Sequence, residues 1–305
     1  MLGLFGTLNL ASRSLQTQMT GVEVSGQNVA NVNTTGYSRQ RVAITTSPDV
    51  TTGIGSEGTG ATAVAIQQVV SNLLNSQIQS QATTAGYWGA QQSALQSAQN
   101  GLNEFLNGTG STSSTSNTST NTTGTGLSAQ LTGLFSAFQS VATSPTSESA
   151  RQELVGAAQT LASTFNNISS QFTSVKDALN TSLDNDVTSA NKLLSDIASL
   201  NKQITNSEFS GGSANDLRDT REQDLENLAK LTNISTSTGT NGTVNVTIGG
   251  ETLVSGYNLK DTLQTFDAGN GQYFVQTANG GVNLTLSGGS MQGTINVRDG
   301  TLASM

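Results

Sequence analysis

The 305-residue chain contains no histidine and no cysteine, only 2 prolines and a single tryptophan. Without an imidazole or a thiol it has no histidine base, no thiolate nucleophile, no disulfide and no zinc site of the His/Cys type. Charge is also scarce. Charged residues make up 10% of the chain, against about 25% in ordinary soluble domains. Ser, Thr, Asn, Gln and 33 Gly take their place. The 12 basic and 20 acidic side chains leave a net charge of −8, the wrong sign for a surface that replaces counterions along a phosphate backbone, so no nucleic-acid partner is expected. No run approaches the ~18 apolar residues of a membrane helix, so no membrane span is expected. Hydrophobic residues at 34% and aromatics at 5% fit long helices with polar strands and linkers better than a dense enzyme core.

The N-terminus carries Leu2, Leu4, Phe5, Leu8, Leu10 and Ala11, an apolar run like that of a secretory leader. No Lys or Arg precedes Arg13, and the pattern continues past the place for cleavage, so the segment is expected to be mature sequence without a cleaved signal peptide. Leu8, Leu15, Val22 and Val29 recur at heptad spacing, with Leu4, Ala11 and Met19 between them. This spacing predicts one helix with a narrow apolar stripe, suited to packing against other helices and poorly ordered or dependent on an oligomer when alone. An amphipathic helix docked on its own domain is the alternative on periodicity. The helix is expected to end in the polar run from Asn31 to Tyr37.

Further along, Arg41 to Thr45 alternates like a strand, and Gly53 to Gly60 reads as a flexible loop. Ile66, Val69, Val70, Leu73, Leu74 and Ile78 open a second helical run that extends to Leu106. Residues 107–126 are Ser/Thr/Asn/Gly of low complexity and predict a surface loop. Leu131, Leu134, Phe135, Phe138 and Val141 mark a helix that stops at Ser144-Pro145, and Ser147 caps the next. Leu161, Phe165, Ile168, Phe172, Val175 and Leu179 step by fours and threes, followed by Leu183, Val187, Leu194, Ile197 and Ile204. That pattern predicts a rod of ~50 residues, about 75 Å long, with a local stutter. Gly211-Gly212 breaks it, and Asp216 to Leu231 forms a shorter charged helix. Beyond it, Val244/Val246/Ile248, Tyr273 to Val275, Val282/Leu284/Leu286 and Ile295 to Val297 read as strands of a small antiparallel region.

The expected fold is mainly α with a smaller β part: a long coiled-coil rod, an antiparallel β region and a disordered or oligomer-dependent N-terminal helix. Three segments are expected: 1–60, the N-terminal helix and turn; 61–231, the helical rod with its loop at 107–126; and 232–305, a β-rich part of the rod domain. Catalysis is not expected. Asp216, Asp219, Glu222 and Asp224 sit near Arg218 and Arg221, but spacings of three and four on a helix ordinarily make exposed ion pairs, so a solvated face is predicted. The Gly-rich pieces lack the Lys of a phosphate-binding loop, and no cofactor or metal is implied.

Asn28, Ala30, Asn31, Asn33, Thr34, Gly36 and Tyr37, within Asn28-Val29-Ala30-Asn31-Val32-Asn33-Thr34-Thr35-Gly36-Tyr37, resemble the N-terminal signature of bacterial flagellar axial proteins. The extension Ser38-Arg39-Gln40-Arg41-Val42 resembles the hook-associated FlgK branch of that family. Similar matches recur at Ser144 to Gln152, Leu200 to Ile204, Ser210 to Asp219, Gly242 to Val246 and Leu253 to Gly256. The resemblance implies a non-enzymatic structural subunit carried through the flagellar export apparatus. It would form a ring of copies between the hook subunits and the next junction protein, outside the cell. The aliphatic stripe of Leu4, Leu8, Ala11, Leu15, Met19, Val22 and Val29 would be its assembly interface. Members of the family continue past the segment resembling Gly288 to Gly293 to a C-terminal helix that pairs with the N-terminal one, so this sequence is expected to be an N-terminal portion. A hook or rod subunit and a secreted adhesin are the other readings.

Overall fold

A helix of 62 residues, α4 (Glu148–Phe209), is the axis on which the rest of the chain is organised. At 1.5 Å per residue it is about 93 Å long. Ser147 starts it as expected, its Oγ accepting from Ala150 N at 3.3 Å, while Arg151 donates through Nε and Nη2 to the Pro145 carbonyl. The computed structural model describes residues 3–53, 55–107, 126–269 and 271–304; most of the predicted low-complexity loop, residues 108–125, lies outside them.

Among the described residues there are five further helices: α1 (Leu4–Ala30), α2 (Asn72–Asn107), α3 (Leu127–Thr143), α5 (Asn215–Leu231) and α6 (Gly289–Asn296). Between α1 and α2 the chain forms β1 (Gln40–Thr46), β2 (Val50–Thr52), β3 (Gly55–Glu57) and β4 (Ala61–Gln68). After α5 come β5 (Ile234–Thr238), β6 (Val244–Ile248), β7 (Glu251–Ser255), β8 (Asn258–Leu259), β9 (Leu263–Asp267) and β10 (Tyr273–Thr277). β5 to β8 form an antiparallel sheet in chain order, and β9 pairs with β10 in a separate hairpin.

The main core lies where the second half of α4 meets α5, α6 and the C-terminal strands. Leu183, Ala190, Leu194 and Ile197 are fully buried there with Leu225, Leu228, Val246, Ile248, Leu253, Val254 and Met291. Each such Leu, Ile, Val or Met side chain contributes roughly 1.5–3 kcal/mol on leaving water. A smaller cluster joins Ala94 and Ala98 of α2 to Val175, Leu179 and Val297. The buried seam of α4 thus runs through Val175, Leu179, Leu183, Val187, Ala190, Leu194, Ile197, Asn201 and Ile204. The successive four-residue steps at its start are the predicted stutter. Helices α2 and α5 cross very closely at Gly86, where a Cβ would lie 2.0 Å from the Lys230 carbonyl oxygen.

Two polar side chains in the core are tied to several partners each. Asn201, fully buried in the seam, donates through Nδ2 to the carbonyls of Val244 (2.8 Å) and Gly256 (2.6 Å) and accepts at Oδ1 from Arg221 Nη1 (2.8 Å) and Val244 N (3.1 Å). One side chain therefore fixes the sheet and α5 on α4. Arg298 plays the same part near the middle of α4. It is 1% exposed, donates to Asn180 Oδ1 and to both oxygens of Asp299, and lies over the Phe274 ring.

Four local expectations need correction. Ile66 belongs to β4, and the helix starts only at Asn72; Ala61 to Ile66 alternates with period two and pairs with β1, which overrides the helical reading of its apolar residues. The predicted loop at Gly53 to Gly60 includes β3, paired with β2. Ile295 lies in α6 and Val297 in the π-helical turn that follows, a short apolar run whose period cannot separate strand from buried helix. Val282, Leu284 and Leu286 lie outside the named strands, beside an isolated bridge between Gln276 and Asn283.

Replacing Asn201 with Leu keeps the volume but deprives Val244, Gly256 and Arg221 of their partners. At about 1–3 kcal/mol for an unsatisfied buried group, urea unfolding is expected to show a loss of roughly 2–4 kcal/mol. A loss well under 1 kcal/mol would contradict this role.

Candidate assembly site

Helix α1 has two heptad stripes, and the more hydrophobic one faces solvent. Leu4 (83% exposed), Leu8 (65%), Leu15 (64%), Met19 (57%), Val22 (72%) and Val29 (73%) are all open, as is Ala11. The inner stripe consists of Leu10, Ser14, Thr17, Gly21, Val24, Asn28 and Asn31, again stepping by fours and threes and each buried or half-buried. At 3.6 residues per turn the two are separated by roughly 130° around the helix. The inner stripe lies on the ribbon of β1 and β4, which continues past residue 60 to Gln68. Thr17 Oγ1 donates to the Ala61 carbonyl at 3.1 Å. Packing that inner face therefore buries mainly small and polar groups, with Leu10 and Val24 among them, and leaves the longer aliphatic row in water.

The signature following α1 is a folded turn. Asn28 donates through Nδ2 to the Gln40 carbonyl (2.8 Å) and accepts from Gln40 N (2.8 Å) and Tyr37 Oη (2.9 Å). Its carboxamide occupies the place of a neighbouring strand's peptide group and ties the end of α1 to the start of β1. Asn31 bonds Gln27 O and accepts from Thr34 Oγ1. Gly36 sits at φ +82°, the left-handed region that glycine enters without steric cost, and a Cβ there would meet Gln223 Oε1 at 2.7 Å. Ala30, Asn33, Thr34, Arg39 and Arg41 are exposed; Arg41 reaches Gln67 Oε1 at 3.4 Å.

Ser38 and Gln40 lead to residues that sequence reasoning placed on a solvated face. Asp219 is 9% exposed and accepts from Ser38 N (3.0 Å) and Gln68 Nε2 (2.8 Å). Asn215 Nδ2 donates to Ile66 O (3.0 Å) and Gln40 Oε1 (3.3 Å), and Gln40 Nε2 donates to Asp216 Oδ1 (3.2 Å). Arg221 is buried too, and Glu222 accepts from Gln79 at 2.9 Å. The predicted solvated face is thus incorrect for Asp219 and Arg221: an acidic helix start that docks a ribbon carries the same spacing as one forming surface ion pairs. Asp216 does remain exposed.

Burial sets the electrostatics of this face. It raises the Asp219 carboxyl above its ordinary value, with hydrogen bonds from Ser38 opposing. It raises Glu222 and Asp224 likewise and pulls Arg221 down to about 10. A cleft of about 320 Å³ between the turn and α5 is lined by Asn31, Thr34, Tyr37, Asp216 and Gln223 among others, hence by amides, hydroxyls and carboxylates. Among the described residues no group of three or more His, Cys, Asp or Glu is arranged to hold a metal, and no helix is long and apolar enough to cross a membrane.

The family described as the flagellar hook-associated protein FlgK helical domain matches residues 112–305. Flagellar hook-associated protein 1 of Bacillus subtilis (strain 168) is 30% identical over 249 residues, covering 79% of this chain and 46% of the relative. Its namesake in Salmonella typhimurium is 25% identical over 257 residues, covering 82% and 42%. The structure of the flagellar hook junction protein FlgK from Burkholderia pseudomallei superposes with a TM-score of 0.59 at 26% identity, over 76% of this chain and 40% of that one. The chain spans less than half the length of the curated relatives it matches.

The raised Asp219 pKa has a defined sign. The folded chain holds that proton more tightly than the unfolded chain, so the contribution of Asp219 to stability is greatest below the ordinary carboxylate value of about 4 and declines as pH rises through the folded value. The stability difference between the wild type and Asp219→Asn, from denaturant unfolding across pH 3.5–7, is therefore expected to move against the wild type as pH rises. A difference that moves in its favour would reverse the assignment.

Proposed function

Because this chain belongs to the flagellar hook-associated protein FlgK family, we propose that it is a structural subunit of the bacterial flagellum at the junction of hook and filament, outside the cell. The observation that carries the reading is the aliphatic stripe of α1, left in water while the polar stripe is packed. A row of Leu, Met and Val at heptad spacing gains most by insertion between helices of like geometry. Copies of the same chain in a ring would provide such helices, with hook subunits below and the next junction protein above. Its arrival through the flagellar export apparatus completes the proposal.

Within it the three expected segments have separate tasks. Residues 1–60, with the ribbon extending to Gln68, present the assembly stripe and its signature. Residues 61–231 form the rod, and 232–305 complete its core. The carboxylates of α5 serve as docking groups here, so no catalytic role is proposed.

Leu8, Leu15 and Val22 are exposed, and surface substitutions usually change stability by no more than about 0.5 kcal/mol each. The triple Leu8→Ser, Leu15→Ser, Val22→Ser variant, made in the protein as the cell expresses it, is expected to melt close to wild type. It should be exported yet fail to enter the flagellum, giving hooks without filaments and free subunits in the medium. Normal filaments and motility with that variant would refute the reading.

A further inference from the structure

The N-terminal unit, residues 3–68, joins the rest of the molecule through the short covalent link Val69-Val70-Ser71, and none of its residues belongs to either hydrophobic core cluster among the described residues. Such a unit would pivot on its tether unless something else held it. Among the described residues six side-chain hydrogen bonds join it to the helical body at the first turn and a half of α5. Ser38 N and Gln68 Nε2 donate to Asp219, Gln68 Nε2 also donates to Asn215 O, Gln40 Nε2 donates to Asp216, and Asn215 Nδ2 donates to Gln40 Oε1 and Ile66 O.

We propose that this polar patch is an orientation latch: Asn215 and Asp219 grip the backbone and amide side chains of the β1/β4 ribbon and so set the angle at which α1 leaves the helical body. Three features argue for it. Asn215 and Asp219 lie one helical turn apart on the same face of α5, so both reach the end of the ribbon where Gln40 pairs with Gln68. Two of the groups they hold, Ser38 N and Ile66 O, belong to the main chain and would remain available whatever the side chains there. Finally, Gln68 directly precedes the tether, so the latch sits at the pivot while α1 extends about 40 Å as the lever. Directional hydrogen bonds impose a geometry that an apolar contact would leave adjustable, and being few and half-exposed they remain releasable. The stripe on α1 would thereby be presented at a preset angle before any partner is met. The latch is a property of the free chain and stands whether or not the stripe is the assembly surface.

The absence of cysteine makes the test direct. Thr45→Cys on β1 and Lys202→Cys on α4 are both exposed positions, and spin labels there report the distance between the unit and the body in frozen solution. The otherwise unchanged chain is expected to give one narrow distance distribution. Two variants each remove four of these six bonds, from opposite sides: Asn215→Ala with Asp219→Ala on α5, and Gln40→Ala with Gln68→Ala on the ribbon. Each is expected to widen the distribution at least twofold while the helical circular dichroism and its thermal midpoint stay near those of the parent. Should the α5 pair unfold the body, the ribbon pair alone decides. A narrow, unshifted distribution in the ribbon variant, or a broad one in the parent, would overturn the proposal.

Discussion

A helix with two stripes can bury only one against a narrow ribbon, and α1 buries the wrong one for a solitary domain. Leu10, Thr17 and Val24 give it some apolar contact, but Ser14, Gly21, Asn28 and Asn31 share that face, while Leu4, Leu8, Leu15 and Val22 remain in water. The hydrophobic effect favours the opposite arrangement by about 25 cal/mol for each Å² of apolar surface. The packing persists because Asn28, Tyr37 and Gln40 link the helix to the ribbon by hydrogen bonds. Such a helix presents its most adhesive surface outward, the arrangement that the proposed assembly role calls for.

The helical body solves a related problem by different means. A rod about 93 Å long cannot close a core along its whole length with an aromatic content of 5%. Burial concentrates where α4 passes α5, α6 and the C-terminal strands, and buried polar side chains then specify which surface goes where. Asn201 reads the edges of the sheet, Arg221 joins α5 to that reading through Gly242 O, and Arg298 ties the final turn to Asn180 and Asp299. Cores of aliphatic side chains alone tolerate slippage; a hydrogen-bonded amide or guanidinium in the seam does not.

Much of this was legible in the sequence where a period ran long enough. The rod, its stutter, the Ser147 cap and the stripe of α1 all follow from steps of three and four. The signature around Tyr37 likewise indicated where α1 ends. Short elements were ambiguous for a physical reason: Ile66 and Ile295 to Val297 sit in runs of a few residues, where tertiary pairing decides the period. Asn201 is hard to read in the seam because a polar residue there looks like a gap, although the missing step between Ile197 and Ile204 is a signal. Asp219 and Arg221 are not legible because charge on a helix signals solvent unless the surface opposite it is known; for Asp219 that surface lies 151 to 181 residues away in the chain, and for Arg221 it is a buried amide and a carbonyl 20 and 21 residues away.

The outward stripe is the claim on which the account stands, and a cysteine-free chain allows it to be measured at a single side chain. Leu15→Cys, reacted with a maleimide in the free protein and again after incorporation into flagella, compares the same atom in the two states. Rapid modification of the free chain and at least tenfold slower modification in the assembled structure is the predicted result. Equal rates in both states, or a thiol already protected in the free chain, would contradict it.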